Sequence, residues 1–149
     1  MKKLSLFIIA LFFANAATAQ WFWQNPLPQG YHLNSVMFPG TNVGYAVGEI
    51  GSVVKTTDAG LHWAALPTAV SQHLQSVFFT DDNTGFAVGD EGAIIKTTNG
   101  GTTWDSLASG TTLCLNSVFF TNNNKGFAVG RNCGSTDNGI ILRTTDGQP

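Results

Sequence analysis

The stretch Leu74–Trp104, LQSVFFTDDNTGFAVGDEGAIIKTTNGGTTW, decides the fold because the chain repeats it. Leu33–Trp63 reads LNSVMFPGTNVGYAVGEIGSVVKTTDAGLHW, and Leu115–Gly130 starts the phrase again as LNSVFFTNNNKGFAVG. Leu33, Leu74 and Leu115 stand 41 residues apart, and the first two copies agree without a gap at 15 of 31 positions. A fixed period of roughly 20 to 50 residues marks a supersecondary unit that stacks on copies of itself.

Inside the central copy the pattern is that of strands. Leu74–Thr80 is β-branched and aromatic and predicts a first strand, followed by the turn cluster Asp81–Gly85. Phe86–Gly89 predicts a second strand, Asp90-Glu91-Gly92 a turn and Ala93–Thr98 a third strand. Asn99-Gly100-Gly101 then turns the chain into a fourth strand over Thr102–Leu107. No amphipathic run at the helical period is found outside the N-terminal leader, so the class is all-β. A meander of four strands has two faces and cannot cover both by itself. Copies set around an axis solve that problem, which predicts a β-propeller with four-stranded antiparallel blades. The repeats then run over 33–73, 74–114 and 115–149.

Gly48, Gly89 and Gly130 leave the second strand, where positive φ or close backbone approach is expected. Ala46-Val47, Ala87-Val88 and Ala128-Val129 are expected to form the close-packed middle of each blade. Trp21–Pro28 precedes Leu33 much as Trp63–Pro67 precedes Leu74, so an orphan outer strand is expected over 21–28. Propellers use about four to eight blades. Only about three blades' worth is present, and the third copy stops at Gln148-Pro149 without the Trp of its fourth strand. The expectation is an incomplete ring and the N-terminal part of a longer protein. The alternative is a short product that closes by self-association and so hides its open edges.

Residues 1–19 read as a signal peptide. Lys2 and Lys3 precede an apolar run of 11 residues, Leu4–Ala14, and Ala17-Thr18-Ala19 supplies the small residues of a cleavage site between Ala19 and Gln20. The run is well short of the roughly 20 residues that span a bilayer. The expected location is secreted, periplasmic or at the cell surface, with no stable membrane span after cleavage. Removal of Lys2 and Lys3 leaves five basic residues against nine acidic ones, which offers no track for a phosphate backbone and argues against nucleic acid.

Thr56-Thr57-Asp58-Ala59-Gly60-Leu61-His62-Trp63 and Thr97-Thr98-Asn99-Gly100-Gly101-Thr102-Thr103-Trp104 share the pattern Ser/Thr-x-Asp/Asn-x-Gly-x-x-Trp. This pattern resembles the Asp-box, or bacterial neuraminidase repeat. Asp58 or Asn99 is expected to accept backbone N–H groups two residues on, Gly60 or Gly101 to adopt positive φ, and Trp63 or Trp104 to pack under the turn. The role is structural, since these residues are what a tight turn requires. In the third copy, Thr144-Thr145-Asp146-Gly147-Gln148 places Gln where the second Gly belongs.

The 41-residue copies and their turns together resemble the propeller of the photosystem II assembly and stability factor, and the related repeat proteins of non-photosynthetic bacteria. The residues that carry the resemblance are the LxSVxF, GFAVG and GxIxKTTxGGxxW succession of Leu74–Trp104. The resemblance implies the propeller fold and a non-catalytic scaffold that engages a protein or surface polysaccharide, without a cofactor. The photosynthetic member works through a basic surface patch, which Arg131 and Arg143 alone do not reproduce.

Cys114 and Cys133 are the only cysteines, an even number in an exported chain, and a disulfide between them is expected. Both lie in connections that a blade presents on one side; two buried thiols are the alternative. His32, His73, Glu49, Asp90 and Glu91 gather on the same side and read as solvated turn residues, not metal ligands. Asp81-Asp82 and Asp137-Asn138 lack the pattern of an EF-hand loop. His62 reads as an exposed residue of the outer strand.

The competing functional class is a secreted Asp-box glycoside hydrolase of sialidase or endoglucanase type, with its site largely in blades absent from this sequence. A sialidase grips its substrate carboxylate with three Arg, and this chain has two. An ordinary hydrolase needs two carboxylates about 5 to 9.5 Å apart. Glu49 and Asp90 or Glu91 recur in register, which fits turn chemistry better. No nucleophile elbow, zinc helix or phosphate loop is present.

Overall fold

The computed structural model describes Trp21, residues 30–134 and residues 138–147. The leader 1–19, the Ala19–Gln20 junction, the outer strand expected over 21–28 (Trp21 apart) and Gln148-Pro149 lie outside the described residues. The strands are β1 Leu33–Met37, β2 Gly44–Gly48, β3 Val53–Thr56, β4 Ala64–Leu66, β5 Leu74–Phe79, β6 Gly85–Gly89, β7 Ile94–Thr97, β8 Asp105–Leu107, β9 Cys114–Phe120, β10 Gly126–Arg131 and β11 Gly139–Thr144. They form three antiparallel sheets, ordered β1-β2-β3-β4, β5-β6-β7-β8 and β11-β10-β9. Among the described residues no helix is long and apolar enough to cross a membrane. Among the described residues helical turns are confined to two, Glu49–Gly51 and Asp90–Gly92.

Each sheet is a propeller blade and the three stand side by side in an open arc. The first interface joins Tyr45, Val47 and Val53 to Leu74, Val77 and Phe79. The second joins Phe86 and Val88 to Leu115, Val118, Phe120 and Ala128. The ring pairs recur with the repeat. Tyr45 stacks on Phe79 and Phe86 on Phe120, each with centroids 4.0 Å apart. Such aromatic pairs add about 0.5–1.5 kcal/mol beyond the area they bury.

The repeated serine joins blade to blade. Val77 N donates to Ser35 Oγ and Val118 N to Ser76 Oγ, both at 3.3 Å. Among the described residues Ser117 has no blade in front of it, and it is exposed. Val129 is 41% exposed for the same reason, where Val47 and Val88 are fully buried, so both residues of the Ala-Val pair are buried in the first two blades and only Ala128 in the third.

Two features differ from the expected strands. The fourth strand begins at Asp105, not Thr102, because Thr102 and Thr103 are bonded into the preceding turn. The first strand of every blade also carries a bulge, between Leu33 and Ser35, between Leu74 and Ser76, and opposite the Val129–Gly130 step. The bulge brings β1, β5 and β9 close to the end of the next strand. A Cβ on Gly48, Gly89 or Gly130 would overlap the carbonyl oxygen of His32, His73 or Cys114. Close approach is therefore the reason for these glycines; Gly48 and Gly89 have extended backbone, not positive φ.

Candidate functional site

The two ends of the blades differ in how they are built. One end is closed by the Thr-x-Asp/Asn-x-Gly turns. In the first, Thr56 Oγ1 donates to Asp58 Oδ1 at 2.8 Å and accepts from Gly60 N at 3.0 Å. Asp58 Oδ1 accepts from His62 N at 2.9 Å, and Asp58 Oδ2 lies 2.7 Å from His62 Nδ1. In the second, Thr97 Oγ1 donates to Asn99 Oδ1 and accepts from Gly101 N, while Asn99 Oδ1 accepts from Thr103 N at 2.9 Å.

The acid or amide side chain thus takes the N–H four residues on, not two. The nearer donors turn inward and are met by the threonine hydroxyl. Gly60 and Gly101 have φ of 89° and 81°, which a Cβ would strain. Trp104 is buried beneath its turn and meets Phe79 edge-on, with centroids 6.0 Å apart. Trp63 makes the same contact with Phe38 but is only half-buried. In the third copy Thr144 Oγ1 donates to Asp146 Oδ1 at 3.0 Å, and Gly147 N donates to Asn124 O as Gly100 N donates to Asn83 O.

The second and third turns are also held by the preceding blade. Lys55 Nζ and Tyr45 OH both donate to Gly100 O at 2.8 Å, and Lys96 Nζ donates to Gly147 O at 2.9 Å. Two of the chain's few cations are thereby spent on joining blades. The His62 backbone N–H, then the His62 and Thr56 side chains, hold the Asp58 carboxyl down at about 2. The Asp81 carboxyl is lowered chiefly by the Asn83 N–H, as it caps its own loop and accepts from Asn123 of the next blade. These carboxylates stabilise backbone and none of them faces a cleft.

The opposite end is open. It carries the two helical turns, the linkers between blades, and Arg131 with the Cys114–Cys133 disulfide, whose Cα atoms lie 5.3 Å apart. The histidines serve the turns there: His32 O and His73 O accept from Glu49 N and Asp90 N, and His73 Nδ1 accepts from Ile50 N. Gln75 donates to Asp90 and Gln72 to Glu91. Among the described residues no three His, Cys, Asp or Glu side chains converge as metal ligands would.

Between the linkers runs an open groove of about 700 Å³, lined by Val70, Gln72, Glu91, Ser106, Ser109 and Thr112. It offers hydroxyl, amide and one carboxylate group against apolar walls. A more apolar cleft of about 130 Å³ lies among Phe86, Val88, Ile94, Val118 and Phe127; it belongs to blade packing. The groove-lining linkers were not singled out by the sequence, although a hydroxyl recurs in them at the repeat distance. Thr68 Oγ1 donates to Gly51 O at 2.7 Å, and its counterpart Ser109 accepts from Thr111 N.

The family model described as photosynthesis system II assembly factor YCF48 matches residues 62–148. No curated protein matches the chain. Among solved structures, YCF48 bound to D1 peptide is 25% identical, with a TM-score of 0.67 over 81% of this chain and 39% of that one. YCF48 from Cyanidioschyzon merolae is 16% identical, with a TM-score of 0.64 over 78% of this chain and 38% of that one. An ancestral GH74 enzyme is 21% identical, with a TM-score of 0.67 over 88% of this chain and 19% of that one. The last two share the fold. This chain spans about two fifths of either YCF48 structure. With blades, ring pairs and turns recurring as described, the chain belongs to the photosynthesis system II assembly factor YCF48 family.

Proposed function

We propose that this chain is an exported, non-catalytic propeller scaffold that holds an extended segment of another protein in the groove at its open end. The observation that carries this is the groove itself. Its walls are linkers seated on rigid blades, and they pair apolar contacts from Val70 and Leu107 with polar groups from Gln72, Ser109 and Thr112. A peptide backbone needs such a mixture, because its N–H and C=O groups must be met wherever they leave water. The YCF48 structure solved with a D1 peptide supports protein as the partner class. The groove lining itself offers no cation to an acidic partner. Lys55 and Lys96 are committed between blades, and Glu91 stands in the groove.

The likeness to a GH74 enzyme keeps the hydrolase reading worth one direct test. A photo-crosslinking side chain at Thr112, in chain produced and exported by its own host, is expected to capture a polypeptide. The same group at Thr102, at the closed end, is expected to capture none. Turnover of a sialoside or β-glucan, abolished by substitution of Glu49, Asp90 or Glu91 alone, would replace the scaffold reading with the enzyme.

A further inference from the structure

Ile50 and Glu91 hold one place in consecutive repeats, in the middle of the turns Glu49–Gly51 and Asp90–Gly92. Both stand in the left-handed region, with φ of 53° and 56°, where a residue that carries a side chain is strained. The turn fixes that backbone in either copy. Gly89 N donates to Ala93 O and Ala93 N to Asp90 O, as Gly48 N does to Ser52 O and Ser52 N to Glu49 O. An isoleucine therefore meets the demands of the turn as well as a glutamate does, and the fold leaves the carboxylate of Glu91 unexplained.

The two residues differ in their setting. Glu91 lines the open groove together with Val70, Gln72, Leu107, Ser109 and Thr112. That lining belongs to the middle blade and to the linkers that enter and leave it, so blades on both sides fix its surroundings. The carboxylate is exposed, and its hydrogen bond is a long one, 3.4 Å from Gln72 Nε2 to Oε2. Among the described residues no cation pairs with it, and Arg131, at the same end of the blades, does not line the groove.

We infer that the groove selects a segment bearing a Lys or Arg side chain, whose cation pairs with Glu91 while its aliphatic stem lies along Val70 and Leu107. This rests on the reading of the groove as a peptide site. A basic side chain matches both halves of the lining, because it carries an apolar stem and a charged head. Apolar walls beside the carboxylate strengthen its attraction for a cation relative to an open surface. Gln72 holds Oε2 and leaves Oε1 to accept from the incoming N–H. Ile50 supplies no such group, so the preference belongs to the second blade and not to the first.

Fluorescence polarisation of labelled peptides with the full chain tests the selection. The probes are short extended peptides of Ser, Thr, Gly and Val with Arg, Gln or Glu at the centre. The Arg peptide is expected to bind at least about threefold more tightly than the Gln peptide in dilute buffer, with the Glu peptide weakest and the spread narrowing as salt rises. Glu91→Gln is expected to bring the Arg peptide to the level of the Gln peptide and to leave the latter unchanged. Glu91→Lys is expected to reverse the order in favour of the Glu peptide. Glu49→Gln, in the turn outside the groove, is expected to alter nothing. Equal binding of all the peptides to wild type, or an Arg preference that survives Glu91→Gln, overturns the selection and leaves the groove a peptide site. So does an equal loss in Glu49→Gln, which would mean general charge attraction. No binding of any probe up to about 1 mM overturns the selection together with the scaffold reading beneath it.

Discussion

Trp104 and Trp63 occupy the same place in consecutive repeats, yet burial gives them unequal weight. Trp104 is 4% exposed and roofed by its turn, with Phe79 at its edge and no hydrogen-bond partner for its Nε1 among the described residues. Trp104→Ala is expected to lower unfolding free energy by about 3–5 kcal/mol in a urea titration. Trp63→Ala, at the outer end of the arc, is expected to cost less than half as much.

Asp58 supplies a prediction of opposite kind, one that depends on pH. Its folded value of about 2 lies below the ordinary 3.8, so the folded state favours the ionised form. That stabilisation is complete above about pH 4 and disappears as pH falls through about 2. Asp58→Asn would copy the second turn, where Asn99 makes the same acceptor contact at neutral charge. The gap in stability between wild type and Asp58→Asn is therefore expected to close between pH 4 and pH 2; a gap that is constant over that range would remove Asp58 as its source. Asp81, which is lowered in the same sense, is common to both proteins and cancels.

At the scale of the element, the repeat made most of the fold legible. Leu74, Gly85 and Gly89 mark strand ends because turns and close approaches recur with the period, and the three sheets follow. The bulges at Asn34, Gln75 and Asn116 were not legible. A bulge is a relation between two strands, and nothing in LxSVxF alone says that two residues face one. Its consequence is directional: the serine after the bulge is aimed at the next blade, not at its own. Ser76→Ala is accordingly expected to cost about 0.5–1.5 kcal/mol, since the half-buried Val118 N–H loses its acceptor. Ser117→Ala, chemically the same change on the exposed face, is expected to stay within about 0.5 kcal/mol. Equal costs at the two positions would mean that Ser76 acts within its own blade.

Over the whole molecule, what the repeat explains is the scaffold, and what it leaves unexplained is the groove. A residue that recurs at every blade is committed to a neighbour, as Lys55 and Lys96 are, so the repeat directs attention away from the linkers at 67–73 and 108–113 that line the open end. The third blade departs most from the pattern and is also the least supported. Among the described residues its sheet has three strands, and its Ser117 face is bare. The disulfide falls there for a physical reason. Cys114 pairs with Arg131 across β9 and β10, and Cys133 lies two residues beyond, so the bridge pins the start of the blade to a connection lengthened relative to Asp90–Gly92. Closing a segment of 19 residues lowers the entropy of the unfolded chain and stabilises by about 3 kcal/mol. Cys133→Ser, which leaves the buried Cys114 in place, is expected to lose that amount, with the loss concentrated in hydrogen-exchange protection of β9–β11. Unreduced wild type is expected to take up no thiol label even when denatured. Two labelled thiols would remove the bridge, and with it the reason an unpartnered blade holds its shape at the end of the arc.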